Sequence, residues 1–195
     1  MRDVLGGVKR GLAFVISAPA GTGKTTLVRM LCKKHPCVVD SISYTTRQPR
    51  RTETPGVDYH FISHAEFERK IEEGEFLEYA KVFDHYYGTS RKFVESQLAA
   101  GKHVALVIDT QGAIQLMGSY DAVFIFISPP NLDELRNRLK SRRSETESSI
   151  VQRLSWAEKE MALAVRYDYH IVNERLHIAY EVLRAIFIAE EHKNR

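Results

Sequence analysis

Cysteine is scarce, with two among 195 residues. That excludes a disulfide-stapled scaffold and agrees with a reducing, cytoplasmic setting. The pair sits in Cys32-x-x-His35-x-Cys37, but no second pair supplies a fourth ligand at zinc spacing and Pro36 interrupts the segment. Buried or half-buried thiols are the reading, not a metal site. Long hydrophobic runs are missing too. The longest, residues 122–127 (AVFIFI), falls far short of the roughly 18 residues that a membrane span requires, so no membrane partner is expected. Nor does one sign of charge dominate. Lys plus Arg number 28 and Asp plus Glu 25, a net charge of +3 that by itself supports no nucleic-acid partner. Internal repeats and low-complexity tracts are absent. What is present is ordinary globular usage, 44% hydrophobic and 27% charged, from which one compact domain is expected. Arg2, Lys9 and Arg10 precede an apolar stretch, and Ala18-Pro19-Ala20 imitates a signal-peptidase site. The stretch is short and the proline falls inside the supposed cleavage site, so secretion is not expected.

Residues 12–17 (LAFVIS) are almost continuously apolar, the pattern of a strand buried on both faces. Leu27, Met30 and Leu31 then recur at helical spacing before a lysine-rich end, which predicts a helix over 26–34. Further buried strands are predicted at 103–108, 122–128 and 169–172, and helices at 91–100, 131–141, 150–166 and 176–191. Asn131 with Glu134 three residues on is a capping signature. Strands alternating with helices imply an α/β fold with a mainly parallel sheet flanked by helices, and ligands beyond the strands' C-terminal ends. The stretch 40–89 breaks this rhythm. Residues 58–62 alternate as a strand, Ser63-x-x-Glu66 caps a helix to about residue 73, and 76–83 reads as another strand with a turn after it. It is read as a small mixed α/β lobe inserted between core segments 10–39 and 90–195 of one domain. Residues 142–149 (RRSETESS) lack an apolar anchor and are read as a mobile lid loop.

Ala18-Pro19-Ala20-Gly21-Thr22-Gly23-Lys24-Thr25 matches G-x-x-x-x-G-K-[ST] at every fixed position but the first. Glycines let successive backbone N–H groups converge on phosphate oxygens, and the helix that opens here adds its positive end. Lys24 suits the β- and γ-phosphates, and the Thr25 hydroxyl suits Mg²⁺. The loop follows a predicted buried strand and precedes a helix, the context in which the motif binds ATP or GTP. Ala18 in place of glycine is tolerable where its φ is negative.

Arg47-Gln48-Pro49-Arg50-Arg51 could be a solvated basic loop or a nucleic-acid patch. Its surroundings favour a smaller ligand. Ser43-Tyr44-Thr45-Thr46 precedes it and Asp58-Tyr59 follows, so hydroxyl donors flank guanidiniums restrained by a proline, an arrangement suited to one phosphate dianion. Glu78 and Tyr86-Tyr87-Gly88-Thr89 are uninformative alone.

Taken together, the motif order resembles the guanylate kinases over nearly the entire chain. The matching features are Ser43-x-Thr45-Thr46-Arg47-x-Pro49-Arg50, Gly56-x-Asp58-Tyr59-x-Phe61, Phe76-Leu77-Glu78, Tyr86-Tyr87-Gly88-Thr89-Ser90, Asp109-x-Gln111-Gly112, Arg138-Leu139-x-x-Arg142, Arg153-Leu154 and Ile171-Val172-Asn173. The resemblance implies a P-loop NTPase core, phosphorylation of GMP (or dGMP) by ATP with Mg²⁺, and roles for particular residues. Arg47, Arg50, Tyr59 and Tyr87 would hold the GMP phosphate, and Ser43, Glu78 and Thr89 the guanine. Arg142 and Arg153 would be lid arginines, and Asn173 would lie near the adenine. These roles suit the chemistry: guanine presents two adjacent donors beside the O6 acceptor, so a carboxylate with hydroxyl neighbours reads it. Adenine would leave such a pocket with unpaired buried groups.

Three departures stand out. Ala18 is one. Where the family commonly shows Asp-x-Asp, this chain has Val107-Ile108-Asp109, which leaves Asp109 as the acidic residue, serving either the Mg²⁺ water or GMP. Arg143 replaces the usual glycine after Arg142. Three other readings compete. A guanylate-kinase-like interaction module would be expected to lose Gly21, Gly23 or Lys24, all present here; a sugar-phosphate kinase would need no guanine reader; and a nucleic-acid motor would carry an added basic domain.

Overall fold

The structure, a computed structural model, describes residues 4–82, 84–141 and 147–194. Its larger sheet holds five strands in the order β2-β7-β1-β8-β9: Val38–Asp40 (β2), His103–Val107 (β7), Ala13–Ser17 (β1), Val123–Ser128 (β8) and Tyr169–Val172 (β9). Every pairing in it is parallel. β1 lies at the centre and is buried along its whole length, as its continuous apolarity requires.

The side-chain period of two divides β1 between two cores. Phe14 and Ile16 point to the layer formed by α1 (Lys24–Lys34) and α7 (Leu176–Glu191), where Phe14 stacks on Phe187 with ring centroids 3.6 Å apart. Ala13 and Val15 point the other way, onto α3 (Arg91–Ala99) and α4 (Thr110–Leu116). Burying a ring such as Phe14 stabilises the fold by about 1.5–3 kcal/mol relative to exposure. A smaller cluster joins α5 (Leu132–Ser141) to α6 (Glu147–Ala162) through Leu135, Leu139, Ile150 and Leu154.

The second sheet has the order β4-β3-β6-β5: His60–Phe61 (β4), Tyr44–Thr45 (β3), His85–Ser90 (β6) and Phe76–Val82 (β5). β5 and β6 form an antiparallel hairpin, and β3 pairs antiparallel with β6 and parallel with β4. α2 (His64–Glu72) packs on this sheet through Phe67, which stacks against Phe76 and Tyr86. Its start is as its sequence predicts, with the Ser63 hydroxyl accepting from the Glu66 amide at 3.1 Å.

Several expectations need correction. Residues 86–89 are part of strand β6, not a turn. Gly88 suggested a turn, yet it is needed because a Cβ there would come within 2.9 Å of Phe67 and 3.0 Å of Phe76. The strand expected over 58–62 shortens to His60–Phe61, and β2, β3 and α4 were not expected, being too short to show a period. Residues 147–149 begin α6 instead of belonging to a loop, and a 3₁₀ turn at Ala164–Arg166 takes the end of the expected 150–166 helix. The rest of the expected lid, with Arg142 and Arg143, lies outside the described residues. Cys32 and Cys37 are half-buried thiols, and burial pushes that of Cys32 up to about 12. Among the described residues, no helix is long and apolar enough to cross a membrane.

Candidate active site

A cleft of about 520 Å³ opens at the C-terminal edge of the parallel sheet and reaches the second sheet. On one side lies the loop between β1 and α1. Gly21 and Gly23 hold positive φ values of 94° and 97°, with Gly23 in the left-handed region at the N-cap of α1. Asn173, just past β9 and buried, donates its amide to the Thr22 carbonyl at 2.7 Å, while its own peptide N–H reaches Ser128 O at 2.8 Å. It supports the loop from beneath. Ala18, Pro19, Ala20, Gly21, Gly23, Lys24 and Thr25 all line the cleft, whereas Thr22 is fully buried in the loop.

Lys24 donates to the Ile108 carbonyl at 2.9 Å. Burial lowers its pKa against the opposing pull of Glu160, Asp109 and Asp40. Burial likewise raises two of these partners, Glu160 to about 7 and Asp40 to about 6, and in both cases the Lys24 charge opposes the rise. Asp109 lies beyond the end of β7 and caps α4: its Oδ1 accepts from the Gln111 and Gly112 amides at 2.8 and 2.9 Å.

The second sheet supplies the other wall. Glu78 is buried on β5, and Thr89 of β6 donates to its Oε1 at 2.6 Å. Burial pushes the Glu78 carboxyl up to about 7, opposed by the Thr89 hydrogen bond and reinforced by Asp109. A Cβ at Gly112 would collide with Glu78 Oε2, so the absence of a side chain there lets the carboxylate reach α4. Ser43 is buried and lines the cleft, while Thr89 is buried behind Glu78.

Arg47, Arg50, Tyr59 and Tyr87 all line the cleft. Arg47 Nε donates to Tyr87 Oη at 3.3 Å, and the guanidinium lies 5.5 Å from the Tyr59 ring centroid. Tyr59 and Tyr87 meet edge to face at 5.9 Å. Arg153 of α6 faces the cleft. Across it, Arg29 of α1 pairs with Asp58 at 2.6 Å and ties the loop side to the clamp side.

Sequence reasoning missed Asp40, Glu53, Glu160 and Trp156, all of which line the cleft. Glu160 and Trp156 lie seven and three residues beyond Arg153 on α6, so helical spacing could have put them on its face. Asp40 ends a strand of three residues, and Glu53 lies in a loop, so neither carried a periodic signal.

A family model described as guanylate kinase matches residues 10–190. A guanylate kinase of Protochlamydia amoebophila is 56% identical over 97% of this chain and 97% of its own length. That of Chlamydia abortus is 48% identical over 93% of this chain and 89% of its own. The crystal structure of guanylate kinase from Anaplasma phagocytophilum, 36% identical, superposes with a TM-score of 0.79 over 95% of this chain and 89% of that one. With its cleft built between a parallel sheet and a smaller mixed one, the chain belongs to the guanylate kinase family.

Proposed function

We propose that this protein transfers the γ-phosphoryl group of ATP to the phosphate of GMP, giving ADP and GDP. One observation carries the reading. A glycine-bearing phosphate loop, an arginine–tyrosine clamp and a buried carboxylate with a hydroxyl partner share a single cleft. Two anion receptors facing one space suit two phosphate-bearing ligands, and the carboxylate suits an acceptor base with adjacent donors.

In this reading the loop 18–25 takes the ATP phosphates, and Lys24 exchanges the Ile108 carbonyl for them. Arg47, Arg50, Tyr59 and Tyr87 hold the GMP phosphate; Ser43, Glu78 and Thr89 read the guanine; Asn173 serves the nucleotide side by holding the loop. Arg153, with Arg142 outside the described residues, neutralises charge on the transferring group. The acceptor oxygen is already anionic, so positioning and charge neutralisation replace a strong base. Residues 40–89 are the GMP lobe on a core of 10–39 and 90–195, and the lid role stays with residues 142–146, which lie outside the described residues. The setting is cytoplasmic.

The hard oxygen donors of the cleft fit Mg²⁺: the Thr25 hydroxyl at the start of α1 and, nearby, the carboxylate of Asp109, one of whose oxygens already serves α4. Among the described residues no cluster of three His, Cys, Asp or Glu side chains could cage a metal, so substrate phosphates and water would complete its shell. When bound, the ion neutralises phosphate charge.

The test is ADP formation from ATP and Mg²⁺ against a panel of nucleoside monophosphates. Turnover should be strongest with GMP. Strong turnover with AMP or UMP and none with GMP would overturn the reading.

A further inference from the structure

The clamp contains a carboxylate. Glu53 Oε1 lies 2.9 Å from Arg47 Nη2, and its Oε2 accepts from the Arg50 backbone amide at 2.8 Å. Both side chains of the Arg47–Glu53 pair are only 13% exposed. A negative charge inside a site built for a phosphate dianion should weaken it, unless that charge does something for the arginines.

Two roles are open to such a group: a stand-in anion that substrate must displace, or a brace that stays. The contacts separate them. A stand-in would engage both guanidiniums as a phosphate does. Instead the Arg50 guanidinium stands 3.9 Å from Glu53 Oε1 and is 54% exposed, while Glu53 holds the Arg50 main chain. Each carboxylate oxygen thus has one firm partner, and one of the two is backbone.

Arg47 shows the complementary pattern. Its Nε donates to Tyr87 Oη, its Nη1 to Gln48 O at 2.8 Å and its Nη2 to Glu53. A guanidinium has five N–H groups, so three fixed contacts leave one on each terminal nitrogen. The guanidinium carbon lies over the rings of Tyr59 and Phe61, 5.5 and 5.8 Å from their centroids. The group is held from three directions, with a pair of donors left for an oxyanion. Burial would raise the Glu53 carboxyl, but the Arg47 hydrogen bond and the Arg50 amide outweigh it, so the brace is ionised at neutral pH.

We propose that Glu53 is a positioning residue of the acceptor-phosphate site: it fixes the Arg47 guanidinium and the Arg50 backbone, so that the clamp is assembled before the substrate arrives. The inference rests on the proposed GMP reading and names a residue that acts on the phosphate through Arg47. Removing a preorganised partner costs most where the ligand would otherwise have to order the arginine itself.

The test uses the full chain and its Glu53→Gln and Glu53→Ala variants, alone and combined with Arg47→Ala. Glu53→Gln keeps the size but only one acceptor, so either the Arg47 Nη2–H or the Arg50 N–H loses its partner. The GMP KM should rise about tenfold in Glu53→Gln and further in Glu53→Ala, with the ATP KM within about twofold of the parent. Binding of guanosine, which has no phosphate, should be unchanged. In the Arg47→Ala background, either Glu53 substitution should add less than about threefold. An unchanged or lowered GMP KM in both variants would identify a stand-in anion and overturn the proposal. Equal losses for guanosine and GMP, or full additivity with Arg47→Ala, would show a merely structural residue and overturn it as well. Failure of the parent to use GMP would instead overturn the GMP reading itself.

Discussion

Asn173 and Thr22 are separated by 151 positions, yet the Asn173 amide donates to the Thr22 carbonyl at 2.7 Å in a buried contact. The same amide lies 2.9 Å from where a Cβ on Gly23 would stand. The glycine loop between β1 and α1 is therefore held by the segment after the last strand. In Asn173→Ala the Thr22 carbonyl loses its donor, at a cost of about 1–3 kcal/mol. The ATP KM should rise more than the GMP KM, which initial rates with each substrate varied in turn would read. A GMP-only defect would remove Asn173 from the nucleotide side.

Lys24 sits among Asp40, Asp109 and Glu160 and reaches Ile108 O. Lys24→Ala should leave the fold intact, because the side chain fills the cleft and not the core, and should lower kcat by about 10²–10³-fold. Circular dichroism with single-turnover kinetics checks both halves. A folded variant with near-normal turnover would reject the phosphate role.

Glu78 sets a pH dependence. Its folded pKa, near 7, lies above the ordinary carboxylate value of 4.5, so the folded protein binds this proton more tightly than the unfolded chain. That contribution to stability is complete below the unfolded pKa and is lost as pH rises through about 7. Glu160 and Asp40 act in the same direction, Asp40 through about 6. In the proposed reading, however, guanine needs the ionised form. The kcat/KM for GMP should therefore fall as pH drops below about 7, and Glu78→Gln should lose this inflection while retaining that of the substrate phosphate near about 6. The substitution should also cost GMP on the order of 2–4 kcal/mol in kcat/KM and AMP much less. A GMP/AMP ratio that does not move would show that the guanine reader lies elsewhere.

Gly112 offers a separate test of the same pocket. A methyl group there would collide with the Glu78 carboxylate, whose end is flexible and can swing aside. Gly112→Ala should therefore change Tm little and raise the GMP KM strongly, with ATP use preserved. Thermal melts beside steady-state kinetics would read this; a large loss of Tm with normal GMP KM would mean that Gly112 serves packing alone.

Much of this molecule is legible in its sequence. The strand at residues 12–17, the glycine loop and the helix after it announce themselves because buried strands are continuously apolar, helices repeat every 3.6 residues and phosphate loops need glycine at set intervals. The clamp arginines stand out as a local cluster, and family resemblance extends that reading to Glu78 and Thr89. What escapes has no local signature. β2 and β3 have three and two residues and exist through pairing, not through a pattern of their own. Gly88 resembles a turn residue because the rings of Phe67 and Phe76 that require it lie elsewhere in the chain.

From the sequence alone came the alternation of the main strands and helices, the glycine loop and the residue types expected to meet nucleotides, since each depends on neighbours along the chain or on family resemblance. The tertiary structure decided which charges share the cleft: Asp40 and Glu160 around Lys24, Asp109 turned to cap α4, and Glu53 set against Arg47. Those relations depend on distance through space and on burial, which strengthens every charge that water no longer screens, and no spacing along the chain encodes either.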